Sequence, residues 1–191
     1  AFELQTVGNV AQPHGHQDGR TVVIRADPPL VPETPMLAAG GIRCSLDDML
    51  KWASMWLDPT HVGVQADGKP WLSNTQRDAA WTAHQPMPLS ARMKRWDNSH
   101  FSAYGYGWRL SDVDGTQRVA HTGTLSGMYS ALTLLPEKEV GIVLLINGNA
   151  DEARTVLMQA LTKHFTKPVD NPGVHGYAAL LAEERKQSAA K

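Results

Sequence analysis

Tyr106-Gly-Trp-Arg-Leu110 and Thr116-Gln-Arg-Val-Ala-His121 stand on either side of Asp114-Gly115, and that arrangement decides the fold. Aspartate followed by glycine supplies the two left-handed residues a tight hairpin needs, so two antiparallel strands should meet there. Further along, Met128 to Leu135 and Val140 to Asn147 are apolar runs joined by Pro136-Glu-Lys-Glu139, which reads as a second hairpin. Val140-Gly-Ile-Val-Leu-Leu-Ile146 carries no polar side chain. That is the pattern of a central strand covered on both faces and paired along both edges. A helix is expected from near Asn149, with Glu152 completing a capping box and Val156, Leu157, Ala160 and Leu161 as the buried stripe. Pro168 to Gly176 reads as loop, and Tyr177 to Lys186 as a short terminal helix.

In the other direction the signals thin out. Trp71 to Ala83 fits a helix opened by Ser73 or Asn74, Pro86 and Pro88 interrupt it, and Ala91 to Ser99 is too polar to assign. Upstream, Ser45 can cap a helix whose first turn carries Asp47 and Asp48, where negative charge meets the positive end of the helix dipole. Leu46, Met49, Leu50, Ala53, Trp56 and Leu57 recur at helical spacing, and Pro59 ends the run. Residues 1–37 hold Pro13, Gly15, Gly19, Pro28, Pro29, Pro32 and Pro35, with one plausible strand through Arg20-Thr-Val-Val-Ile-Arg25. The expected class is α+β, an antiparallel sheet flanked by helices. Residues 1–103 form part of a mainly helical and irregular region, and 104–191 supply sheet strands and terminal helices.

Composition narrows the function. The 191 residues carry 18 basic and 19 acidic side chains, a net charge of −1, with no run of like charge to attract nucleic acid or an anionic membrane. The longest apolar stretch, Val140 to Ile146, is too short to span a bilayer. A single cysteine, Cys44, allows no internal disulfide and reads as a small buried hydrophobe. The opening Ala-Phe-Glu-Leu-Gln has no signal-peptide pattern and suggests a chain that begins inside a longer protein.

His121-Thr-Gly-Thr-Leu-Ser-Gly127 is the stretch suited to chemistry. Two glycines and three hydroxyl residues in seven positions are poor core material. They suit a strand junction whose backbone approaches a ligand and donates N–H groups to it, beside a histidine that titrates near neutral pH. By itself such a stretch is more often a turn.

Its neighbours change the balance. Gly105-Tyr-Gly-Trp108, His121-Thr-Gly123, Gly127 and the closing Leu145-Ile-Asn-Gly-Asn149 occur in an order that resembles the C-terminal segment of the serine β-lactamase and penicillin-binding-protein family. The class C β-lactamase, esterase and D-aminopeptidase-like members are the nearest in pattern. Ala38-Ala-Gly-Gly-Ile42 followed by Ser45-Leu-Asp-Asp-Met-Leu-Lys-Trp52 also looks like that family. There a Lys-Thr-Gly or His-Thr-Gly triplet lines the active site. The resemblance implies that His121 hydrogen-bonds near the nucleophile, Thr122 contacts substrate through its hydroxyl, and Gly123 lets the acyl group come close. Thr124 would offer its backbone N–H as one of two oxyanion donors, each worth about 3 kcal/mol. His121 and Thr124 are thus the candidate catalytic residues, Thr122 and Gly123 the candidate substrate-binding ones.

One departure is as informative as the match. The family's nucleophile lies in Ser-x-x-Lys, and the sole instance here is Ser188-Ala-Ala-Lys191, after the sheet and read as chance. Tyr-x-Asn is absent. The expectation is therefore the C-terminal part of a serine hydrolase acting on an amide, β-lactam or ester, with its nucleophile and N-terminal strands outside this chain. The alternative is a non-catalytic module that binds peptides or cell-wall-like ligands. Since the family's last strand pairs with an N-terminal one, Val140 to Ile146 should recruit that missing part or a symmetry mate. The resemblance also implies a periplasmic or secreted setting.

Other residues invite plainer readings. His14-Gly-His16 with Asp18 has no third ligand at a telling distance and reads as solvated loop rather than a metal site. His84, His100, His164 and His175 are scattered. Trp52 and Trp56 belong to the core, whereas Trp71, Trp81 and Trp96 could line a cleft. Ser126 does not fit a nucleophile elbow. No metal or cofactor is called for, and the expected partner is a small-molecule or peptide substrate.

Overall fold

The Asp114-Gly115 turn has φ of 50° and 81°, the doubly left-handed geometry that lets strand twist continue through a two-residue loop. Around it, a computed structural model describes residues 2–3, 9–24, 30–31 and 37–189. In chain order these form β1 (Phe2–Glu3), β2 (His14–Gln17), β3 (Arg20–Val23), β4 (Leu30–Val31), α1 (Leu37–Gly40), α2 (Leu46–Leu57) and α3 (Asn74–Ala80). Then come β5 (Gln85–Pro86), a π-helical turn (Met93–Asp97), β6 (Ser102–Tyr104), β7 (Arg109–Val113), β8 (Thr116–Leu125), β9 (Met128–Leu135) and β10 (Val140–Ile146). Two helices close the chain, α4 (Asp151–Thr166) and α5 (Gly173–Ala189).

Strands β10-β9-β8-β7-β6-β5 make one antiparallel sheet in that order, so each strand pairs with its neighbour in sequence. Because side chains alternate along a strand, Val119 and Arg118 point to opposite faces. Val119 joins Leu110, Leu134, Ala53 and Trp56 in a core beneath α2. Arg118 points the other way and reaches Asp97, which is bonded to Gln159 of α4. The result is an α/β/α sandwich, with α2 and α4 both packed on β9 and β10.

Helix α2 begins as expected. Ser45 accepts from the Asp48 N–H while the Asp48 side chain returns a bond to Ser45, a full capping box. Its buried face is shorter than the periodicity predicts: Ala53 and Trp56 are covered, whereas Leu46 and Leu50 are 49% and 43% exposed. Cys44 is exposed, not buried, because the chain ahead of α2 lies on the surface. Ala38 to Gly41 holds one helical turn, α1, rather than a bare glycine turn.

Several expectations are corrected. The segment at His14 to Asp18 is a β-hairpin, since β2 pairs with β3, and not a loop. Arg25, Pro28, Pro29, Pro32, Pro35 and Lys191 lie outside the described residues. The loop after α4 is shorter than predicted and α5 longer, starting at Gly173. Helix α4 starts at Asp151 with no side-chain cap, because Asn149 spends its side chain on Gly127 instead. Its buried residues are Val156, Gln159, Ala160, Thr162 and Lys163, while Leu161 is exposed. The physical reason is that this helix meets charge. Asp97 is 4% exposed and takes Arg118 at 2.7 Å and Gln159; Lys163 reaches Asp114 at 2.5 Å and the Trp96 carbonyl at 3.3 Å. The polar stretch Ala91 to Ser99, unassignable by hydropathy, is the π-helical turn that delivers Asp97 to this network.

Trp71 and Trp81 pack against the core, whereas Trp96 borders a cavity with Arg95, Asn98, Lys163 and Tyr177. Trp52, Trp56, Trp71, Trp81 and Trp108 pack edge to face and stacked, with centroids between 4.9 and 6.5 Å. Trp96 is buried against Tyr177 at 5.2 Å. Strand β10 pairs only with β9 among the described residues, so it is an edge strand here rather than a central one.

Candidate active site

The region from His121 to Leu125 is not a junction between strands but the second half of β8. Pairing with β7 ends at Arg109↔Ala120, whereas pairing with β9 continues to Leu125↔Met128. One edge of β8 is therefore open from His121 onward among the described residues.

Which amides face that opening follows from register. Leu125 and Met128 flank a two-residue turn, Ser126-Gly127, so this closing pair must exchange both backbone bonds. Antiparallel pairing alternates, which makes Gly123↔Ser130 and His121↔Leu132 hydrogen-bonded pairs as well. Thr122↔Ala131 and Thr124↔Tyr129 fall between them. The N–H and C=O of Thr122 and Thr124 thus point away from β9, towards the open edge, and the ladder leaves both amides unused.

The turn is held from behind. Gly127 has φ 77°, and a Cβ there would meet Pro13 Cβ at 2.6 Å and His14 N at 2.8 Å. Its N–H donates to Asn149 Oδ1 at 2.7 Å, and its carbonyl accepts from the His14 N–H at 3.3 Å. His14 Nδ1 lies 3.0 Å from the Asn147 carbonyl, so this histidine braces the turn. Among the described residues no group of three or more His, Cys, Asp or Glu side chains could hold a metal ion.

Arg154 of α4 grips the same strand. One guanidinium nitrogen donates to the Gly123 carbonyl and to Thr124 Oγ1, each at 2.8 Å, while the group lies 4.8 Å from the Tyr129 ring centre and pairs with Asp151 at 2.6 Å. The Thr124 side chain is anchored this way.

His121 is half-buried, and its Nε2 lies 2.9 Å from the Tyr104 hydroxyl. Burial and then the nearby Arg109 guanidinium push the imidazole below its ordinary value, with the Thr122 backbone acting in the opposite sense. The net effect favours the neutral ring. Thr122 is exposed, and its hydroxyl has no partner among the described residues. Arg109, opposite Ala120, shares that face of the sheet, is exposed, and forms no ion pair among the described residues. Gly123 faces Ser130, whose hydroxyl an added Cβ would strike. Tyr106 is 67% exposed and stacks on His84 at 4.1 Å, on the same side of the sheet's end as Gly105.

His121, Thr122, Gly123 and Thr124 are therefore gathered on one open strand edge. Tyr104, Arg109 and Arg154 join them and were not singled out as site residues by sequence, while Asn149, quoted there only in the closing motif and as a helix start, holds the turn behind them. Of the scattered histidines, His100 pairs with Asp112 at 2.7 Å. Ser126 lies exposed in its turn. Ser188 sits on α5 with its hydroxyl donated to the Glu184 carbonyl.

Gly105 is the tightest glycine near the site. A Cβ there would run into the backbone carbonyl of Ala80, which cannot rotate aside. Gly105→Ala is expected to cost about 1–3 kcal/mol, seen as a lowered denaturation midpoint; an unchanged midpoint would show that the Ala80 carbonyl can retreat.

Comparison with known proteins adds the following. The family described as Beta-lactamase matches residues 5–165. Penicillin-binding protein 4 of Amycolatopsis lactamdurans is 31% identical over 109 residues, which are 57% of this chain and 26% of that protein. The matched segment spans about a quarter of the length of that curated relative.

Proposed function

This chain belongs to the β-lactamase family, and from that premise we propose that it is the C-terminal part of a serine hydrolase working by acyl transfer on an amide, β-lactam or ester. The observation that carries the reading is the Thr124 amide, aimed off an open strand edge and used by no ladder bond. An N–H so placed stabilises a carbonyl oxygen as it becomes negative, and needs no reorganisation to do so. A serine from a Ser-x-x-Lys segment outside this chain attacks the carbonyl carbon. The oxyanion forms against Thr124 N–H and collapses to an acyl-enzyme with loss of the leaving group, and water then releases the acid. His121 hydrogen-bonds beside the nucleophile, Thr122 presents its hydroxyl to substrate, and Gly123 keeps a side chain out of the approach.

Arg109 refines the substrate class. An exposed guanidinium on the same face as the free Thr122 hydroxyl suits a substrate carboxylate, which an Arg fork and a hydroxyl can share. With His121 neutral, Arg109 is the cation that faces such a group.

Two further parts of the proposal concern assembly and place. The outer edge of β10, whose Leu145 is 43% exposed, pairs with the N-terminal part of the same protein or with another copy. The setting is periplasmic or secreted, by analogy with the family; no helix among the described residues is long and apolar enough to cross a membrane.

Labelling tests the reading. A serine-directed fluorophosphonate or fluorescent penicillin is expected to leave residues 1–191 unlabelled, and to label a longer polypeptide in which Ser-x-x-Lys precedes them. Stoichiometric labelling of 1–191 alone would overturn the assignment of the nucleophile. Reversible penicillin binding by the longer polypeptide without acylation would favour a non-catalytic binding module.

A further inference from the structure

Tyr104 and His121 are 17 residues apart, on β6 and β8, and the fold brings the phenol oxygen within 2.9 Å of Nε2. Their rings stand edge to face at 6.1 Å and 70°. Neither side chain has another hydrogen-bond partner among the described side chains. We propose that Tyr104 is a positioning residue for His121: its O–H donates to Nε2 and holds the ring as the Nδ1–H tautomer. The inference rests on the reading of His121 as a site residue.

The direction of the bond follows from acid–base strength. A phenol titrates near 10 and gives up its proton more readily than a neutral imidazole N–H, while the bare imidazole nitrogen is the better acceptor. A protonated ring would have to reverse this bond, and only the Thr122 backbone favours the protonated form. The groups that act on His121 are Tyr104 from β6, the Arg109 charge from β7 and the Thr122 backbone of its own strand, with Leu132 opposite it on β9; no carboxylate is among them. Burial and Arg109 both work against the cation.

The consequence is a division of labour. With Nε2 occupied, the only proton His121 can offer is on Nδ1, and the ring supplies a directed neutral donor in place of a positive charge. Charge recognition then falls to Arg109, and a substrate without an anionic group would lose little from the triplet position itself.

The test is imidazole ¹⁵N NMR of the full chain at neutral pH, which reads tautomer directly. The expected wild-type result is a protonated Nδ1 and an unprotonated, hydrogen-bonded Nε2 for His121. In Tyr104→Phe the Nε2 resonance is expected to move towards the protonated position and the His121 titration to shift. A wild-type ring protonated on Nε2 overturns the proposal whatever the variant does, and so does a Tyr104→Phe spectrum that leaves His121 unmoved. Neither result depends on catalysis. If the labelling experiment fails while this one succeeds, the hydrolase reading falls and the Tyr104 role stands; the reverse outcome removes Tyr104 alone.

Discussion

Thr124→Pro is expected to leave the sheet intact and to lower turnover of the longer, nucleophile-bearing polypeptide by about 10²–10³-fold. Proline deletes one backbone N–H and little else, and strands tolerate it only where that N–H is not part of the ladder. Register places the Thr124 N–H outside the ladder. The substitution also removes the Arg154 bond to Thr124 Oγ1, so a modest fall in melting temperature, equivalent to about 1 kcal/mol, is expected. Thr124→Val separates the two effects, because it loses the hydroxyl and keeps the N–H; its turnover should stay close to that of the parent. Gly123→Pro and Leu125→Pro are the opposite controls. Both residues belong to bonded pairs, so either proline should destabilise the chain well beyond Thr124→Pro. Full turnover in Thr124→Pro would mean that the oxyanion is held elsewhere. A collapse of its stability to the level of Leu125→Pro would mean that the register argument is wrong.

Asp97→Ala is expected to cost about 3–5 kcal/mol, a large share of the roughly 5–15 kcal/mol that holds a folded domain together. The carboxylate is 4% exposed, with Arg118 at 2.7 Å and Gln159 on its other oxygen. Arg118 also donates to Ser111 at 2.9 Å and is largely buried, so deletion of Asp97 strands a positive charge away from water. The penalty is the desolvation of that orphan rather than the strength of the pair. An apolar double replacement, Asp97→Leu with Arg118→Met, should therefore recover much of the loss. Urea unfolding of the two variants checks this; Asp97→Ala within about 1 kcal/mol of the parent would show that water reaches the site.

The two experiments probe different layers of the molecule. The edge of β8 carries the proposed function, and its geometry is set by where β7 stops. The Asp97 network belongs to stability, and joins the π-helical turn, the sheet and α4 on the far face. Arg154 links them in space, because the helix that covers the polar network also grips the Gly123 carbonyl.

Much of this was legible in the chain because it is local. Asp114-Gly115 specifies its turn through the conformations its own two residues allow, Ser45 and Asp48 cap α2 across three positions, and the apolar runs at 128–135 and 140–146 announce strands. The His-Thr-Gly-Thr run could be marked as the candidate site for the same reason. What the chain did not disclose depends on partners many residues away. Hydropathy reports a buried face only when its cover is apolar, so the polar face that α4 turns towards Asp97 and Asp114 was read as its exposed side, and Leu161 as buried. Trp71 and Trp81 looked available for a cleft until Trp56 and Trp108 were brought against them. The pairing of Tyr104 with His121 and the open amide of Thr124 exist only because β7 ends one residue short of the histidine. Sequence determined which residues could do the chemistry; the relative lengths of neighbouring strands decided which of their polar groups were left free for it, since a backbone amide is available only where no adjacent strand has taken it.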